Sequence, residues 1–128
     1  MEKARNFRDY KVWQDAVDYA TKVYKVTSEM PWFEKKGLCD QLQRAAVSIS
    51  SNIAEGAAKP SNADFARFLD TALGSAYEVE TQLLIANKIG YVRNENDNEK
   101  GATYEELHAG IVEIEKQLSG LIKRLLSE

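Results

Sequence analysis

Apolar and small residues recur at alternating spacings of three and four in four stretches of this 128-residue chain, and in the third and fourth the rhythm holds without a slip. The third stretch carries Phe65, Leu69, Ala72, Ala76, Val79, Leu83 and Ala86, and the fourth carries Leu107, Ile111, Ile114, Leu118, Leu121 and Leu125. This spacing sets an apolar seam along one side of an α-helix, and a seam of that length must be covered by partners to keep water out. In the first stretch, Tyr10, Trp13, Val17, Ala20, Tyr24 and Thr27 predict a helix from about Arg8 to about Ser28. Met30-Pro31 ends it, because the residue before a proline is steered away from helical backbone.

The second helix is expected from about Glu34 to Glu55, on a seam of Leu38, Leu42, Ala45, Ile49 and Ile53. Gly56, a residue that takes positive φ at low cost, is its expected stop, with Lys59-Pro60 in the connection that follows. Ser61-Asn62-Ala63-Asp64 is a capping box with an acid in place of the usual Glu or Gln, opening a third helix that lasts until Ile89 and stops at Gly90. The polar run from Arg93 to Gly101 reads as an exposed loop, and Thr103-Tyr104-Glu105-Glu106 is a capping box that starts a fourth helix reaching the C-terminus. Short links favour antiparallel neighbours. The expected fold is all-α, an antiparallel up-down-up-down four-helix bundle, in one domain spanning residues 1–128.

Charge narrows the range of functions. The net charge is −3 and the sequence pI about 5.3, unlike the strongly basic balance of a dedicated nucleic-acid binder. The charge is unevenly spread: residues 1–60 carry ten basic against eight acidic side chains, and residues 61–128 carry seven against twelve. Cys39, the single cysteine, has no intrachain disulfide partner, and the charged N-terminus lacks the apolar core of a secretory signal, so a reducing cytoplasm is expected. No apolar run approaches the ~20 residues that cross a bilayer.

No constellation for catalysis or cofactor binding emerges. Glu105 and His108 form one Glu-x-x-His pair, but di-iron bundles use two such pairs and His108 is the only histidine. A twelve-residue calcium frame begun at Asn96 places Leu107 where a bidentate acid belongs. Cys39 has no neighbouring histidine to activate it and reads as a small, partly buried filler. Glycine-rich phosphate loops are absent from the sequence. The expectation is a protein that is not an enzyme and holds neither metal nor organic cofactor.

Two groups of residues call for an explanation. Gln41, Arg44, Ser48, Asn52 and Glu55 repeat at three and four beside the apolar seam of the second helix. They form either a solvated face or a subunit or helix–helix contact. Gly74-Ser75 in mid-helix favours the contact, since a helical glycine costs about 1 kcal/mol relative to alanine and close approach of a neighbour offsets that cost. The second group, Lys3, Arg5, Arg8 and Lys11, gathers cations at the more basic end and is the candidate phosphate-binding cluster.

The segments QLQRAAVSISSNIAEG (Gln41 to Gly56) and FARFLDTALGSAYEVETQLLIANKIGY (Phe65 to Tyr91), with the opening Phe7 to Ala16, resemble the four-helix-bundle proteins encoded in intervening sequences of bacterial 23S ribosomal RNA genes. The resemblance implies a small α bundle that assembles as a homopentameric ring, without enzymatic activity. A relative of that family, the accessory protein of diversity-generating retroelements, is a basic pentameric barrel that binds nucleic acid and the reverse transcriptase. Two functional classes follow for this chain. One is a non-catalytic ring engaging RNA or a nucleic-acid-processing protein; the other is a structural or protein-interaction scaffold that binds no nucleic acid.

Overall fold

The computed structural model describes residues 5–95 and 101–128; Lys3 and the part of the polar loop from 96 to 100 lie outside them. Among the described residues four helices make up the fold: α1 (Lys11–Thr27), α2 (Leu38–Ala57), α3 (Asn62–Lys88) and α4 (Tyr104–Ser127). They run up-down-up-down and antiparallel around one apolar core. Short 3-10 turns at Phe7–Asp9 and Trp32–Glu34 precede α1 and α2.

The seams of α3 and α4 are buried along their whole length, as the spacing predicts. Their caps also form: the Ser61 hydroxyl accepts from the Asp64 amide at 3.1 Å, and the Thr103 hydroxyl from the Glu106 amide at 3.2 Å. Gly90 ends α3 with φ +88, and the Tyr91 amide beyond it donates back to the Ala86 carbonyl at 2.8 Å. Leu42, Ala45, Ile49 and Ile53 of the α2 seam are buried, and Cys39 beside them is inside the core rather than at its edge.

Three expectations change. The buried row of α1 is Val12, Ala16, Tyr19, Val23 and Thr27; Thr27 is buried as the sequence suggests, and the others are turned about one residue from the expected row. Tyr10, Trp13 and Ala20 pack at the rim of the core, while Val17 and Tyr24 are exposed. Both rows keep helical spacing, and the buried one is set by Tyr19, which fits against Gly110 and bonds the Leu107 carbonyl of α4. The second helix starts at Leu38, because Trp32–Glu34 forms a separate 3-10 turn and Gly37 leaves helical geometry with ψ −110. Gly56 does not stop α2 but is buried within its last turn.

The reason for glycine at position 56 is space. A Cβ there would come within 2.6 Å of Phe68 Cβ and 2.9 Å of Phe65 Cδ1, so α2 and α3 approach at a distance that admits only glycine. A similar contact joins α1 to α4, where a Cβ on Gly110 would meet the Tyr19 ring at 3.0 Å. The Tyr19 hydroxyl donates to the Leu107 carbonyl of α4 at 2.6 Å, so this buried phenol is satisfied by backbone.

Substitutions test this packing. Leu83→Ala and Leu118→Ala each remove a fully buried side chain and are expected to cost about 2–5 kcal/mol in chemical denaturation. Gly56→Ala should cost about 1–3 kcal/mol by overpacking, although alanine is the better helix former. Lys116→Ala, on an exposed position of α4, should change stability by less than about 0.5 kcal/mol. Equal effects at all four positions would show that the core lies elsewhere.

Candidate interaction surfaces

The N-terminal cations are largely engaged by the chain itself. Arg5 donates from Nη1 to the Lys59 carbonyl at 2.7 Å and from Nη2 to Asn62 Oδ1, with its guanidinium 4.9 Å from the centre of the Phe65 ring. It pins the N-terminal segment to the turn between α2 and α3. Arg8 is exposed, lies over the Phe7 ring at 4.4 Å and donates to Asn6 Oδ1 at 3.3 Å. Lys11 is exposed and pairs with Asp15 at 2.6 Å; that bond holds the Asp15 carboxyl below the usual carboxylate range and raises the Lys11 ammonium. Arg5 is therefore a packing residue, whereas Arg8 and Lys11 face solvent.

The polar residues of α2 divide in two. Ser75 of α3 donates to the Ser48 hydroxyl at 2.9 Å, Asn52 donates to the Ser48 carbonyl and hydroxyl, and Gln82 of α3 reaches Gln41 at 3.4 Å. Gln41, Ser48, Asn52 and Ser75 thus line the contact between α2 and α3. Arg44 instead pairs with Asp40 one turn back in its own helix, and Glu55 faces solvent. Gly74 is exposed, and a Cβ built there meets nothing within 4 Å, so no described helix makes the close approach expected at that position.

The outward side of α3 carries a feature that its buried seam does not account for. Tyr77, Leu84, Ile85 and Ile89 are all exposed, and on a 3.6-residue helix they share a sector with Gly74 opposite the buried seam. The outward side of α3 is thus mixed, these large apolar side chains standing among the exposed Glu78, Thr81 and Lys88. The signal is present in the sequence as a second row beside the first. A second exposed apolar feature is the adjacent pair Trp32 and Phe33, in the turn between α1 and α2.

The interior holds one unusual polar contact. Glu115 of α4 is only 9% exposed, and among the described residues no N–H or O–H donor reaches its buried Oε2. Burial, with the Glu80 carboxyl of α3 as neighbour, pushes its carboxyl up to about 7. Burial and the same two carboxyls hold the Tyr19 hydroxyl far above its ordinary value, in its neutral form. Among the described residues, no group of three or more His, Cys, Asp and Glu side chains is placed to hold a metal ion. His108 stacks on Tyr104 with ring centres 5.7 Å apart, and Glu105 accepts from the Glu95 amide at 2.8 Å. No described helix is long and apolar enough to cross a membrane.

The raised acid predicts a pH dependence. The folded chain holds the Glu115 proton more tightly than the unfolded chain does, so its contribution is full below about pH 4.5 and is lost as pH rises through about 7. Glu115→Gln keeps a neutral side chain and should raise stability above pH 7 by about 1–3 kcal/mol while leaving it little changed near pH 4. Denaturation midpoints of both proteins across this range provide the check; a variant curve parallel to the parent would exclude a raised Glu115.

Residues 8–120 match the family of 23S rRNA-intervening sequence proteins. The fold is similar to the crystal structure of a protein of unknown function from the S23 ribosomal protein family of Bacteroides thetaiotaomicron. The TM-score is 0.75 at 28% identity, covering 88% of this chain and 98% of that one. Comparison with curated proteins gave no match.

Proposed function

The chain belongs to the 23S rRNA-intervening sequence protein family, and on that premise we propose that it acts as a non-catalytic subunit of a homo-oligomeric ring, of five copies as the family resemblance implies. The observation that carries this reading is the outward face of α3. Its four large apolar side chains would remain in water on a lone bundle, and contact with another copy would remove them from it. Gly74 extends the same face and leaves room for a partner's side chain. A location in the reducing cytoplasm accords with Cys39, a buried free thiol.

This reading rests on contact between copies and does not need RNA to bind through Lys3, Arg5, Arg8 and Lys11. Lys3 lies outside the described residues, Arg5 is committed to Lys59 and Asn62, and Lys11 to Asp15. Phosphate binding through Arg5 would break the contacts with Lys59 and Asn62 that hold the N-terminal segment in place. Arg8 is the exposed cation whose contacts are most readily exchanged.

Sedimentation equilibrium tests the assembly. The parent chain should sediment as a multiple of 14.4 kDa, most simply five. Leu84→Glu combined with Ile85→Glu should give a folded monomer, because both side chains are exposed within the chain and their charges would be desolvated only between copies. A parent protein that is monomeric at micromolar concentration would end the proposal.

A further inference from the structure

Trp32 is 87% exposed and Phe33 61% exposed, the two rings meeting edge to face with centres 6.0 Å apart. An indole left so open offers a stacking surface that the described residues leave uncovered. Beside it runs a groove of about 780 Å³ between the end of α1 and the start of α2, bordered by Lys35, Lys36, Gln43, Arg44 and Ser28. That volume lies within the range of small-ligand sites, about 300–1,000 Å³. Arg44 is fixed at the groove by Asp40, which accepts from its Nε at 2.9 and 3.0 Å.

The local charge differs from that of the chain. The residues that border the groove include three cations, Lys35, Lys36 and Arg44, and one carboxylate, Asp40, in a protein of net charge −3. Asp40 is bound to Arg44, and the nearby Glu34 accepts from the Tyr91 hydroxyl at 3.0 Å. An exposed flat aromatic ring beside a polar, cation-rimmed groove is the combination that holds an unpaired base and its phosphate. We propose that Trp32, with Lys35, Lys36 and Arg44, is a binding site for single-stranded nucleic acid, for which RNA serves as the probe, the indole stacking on one base and the cations meeting the adjoining phosphates. The site lies on the α1–α2 turn, which the Glu34 bond to Tyr91 ties to the end of α3.

Chemistry decides against the neighbouring readings. A duplex hides its base faces in its own stack, so an indole platform distinguishes single strands from double. Insertion into a lipid surface would dehydrate Glu29 and Glu34 together with the lysines, whereas stacking on one base leaves them in water.

The test uses the full chain and a fluorescein-labelled RNA of roughly twelve mixed-sequence nucleotides, at low salt and over a salt series. Anisotropy should report binding, and tryptophan emission should fall as Trp32 stacks, an effect that Trp32→Phe abolishes while retaining most of the affinity. Trp32→Ala should weaken binding between about five- and a hundredfold. Lys35→Ala combined with Lys36→Ala should lower the slope of log K against log salt by about 0.7 for each phosphate that is no longer neutralised. The matching duplex should bind at least about tenfold more weakly, since it offers no free base to stack. Trp32 is exposed, so its variants should fold as the parent does, and circular dichroism verifies this. Absence of binding at low salt, unchanged affinity in Trp32→Ala, or equal affinity for duplex would each overturn the proposal. A Trp32→Ala change in sedimentation without a change in RNA affinity would overturn it too, making the indole a subunit contact.

Discussion

The small side chains along the buried seam of α3 govern how the bundle closes. Ala72, Ala76 and Ala86 alternate with Leu69, Val79 and Leu83, all of them inside. Interhelical distance is set by the side chains at the contact, so alanine lets α2 and α4 both settle close to the same helix. Gly56 carries this requirement to its limit at the α2–α3 turn, where the space of its missing Cβ is filled by Phe65 and Phe68. A larger residue at any of these points would part the helices and expose the leucines and isoleucines that their approach covers.

α1 completes the core by a different means. Tyr19 lies against Gly110 and bonds the Leu107 carbonyl, so one aromatic residue fixes both the separation of α1 and α4 and their relative height. Apolar burial alone does not discriminate between neighbouring registers, but a buried hydroxyl with one carbonyl partner does. Glu115 works against stability in the same interior when it is ionised, and burial beside the Glu80 carboxyl favours its neutral form.

What is legible from sequence follows how strongly each pattern is constrained. α3 and α4 have unbroken seams with capping residues at their starts, and there the spacing identifies both the buried faces and the caps. α1 offers two overlapping rows; aromatic size points to Tyr10, Trp13 and Tyr24, whereas packing selects Val12, Ala16 and Val23. Gly56 and Gly74 show the same ambiguity, for a glycine marks a turn, a close approach or an open surface, and only the neighbours decide which. The basic cluster looks like a surface in sequence because charge counts do not reveal that Arg5 spends its planar donors on a carbonyl, an amide and a ring. Trp32 and Phe33 are easily absorbed into a helix start, although two adjacent aromatics between Pro31 and Gly37 fit no helical seam.

The two proposed surfaces occupy different parts of the bundle, and this relation has a geometric consequence. Arg5 ties the N-terminus to the α2–α3 turn, while the Glu34 bond to Tyr91 ties the α1–α2 turn to the end of α3. Trp32 therefore sits at the end of the bundle opposite Arg5, and the exposed apolar residues of α3, from Tyr77 to Ile89, occupy the half of that helix nearer Trp32. In a closed ring, rotational symmetry would then carry every copy of Trp32 to the same rim. A base-stacking site too weak to hold one strand alone would be repeated around that rim, and a single strand long enough to span two copies would bind at the effective concentration set by their spacing rather than by the bulk solution.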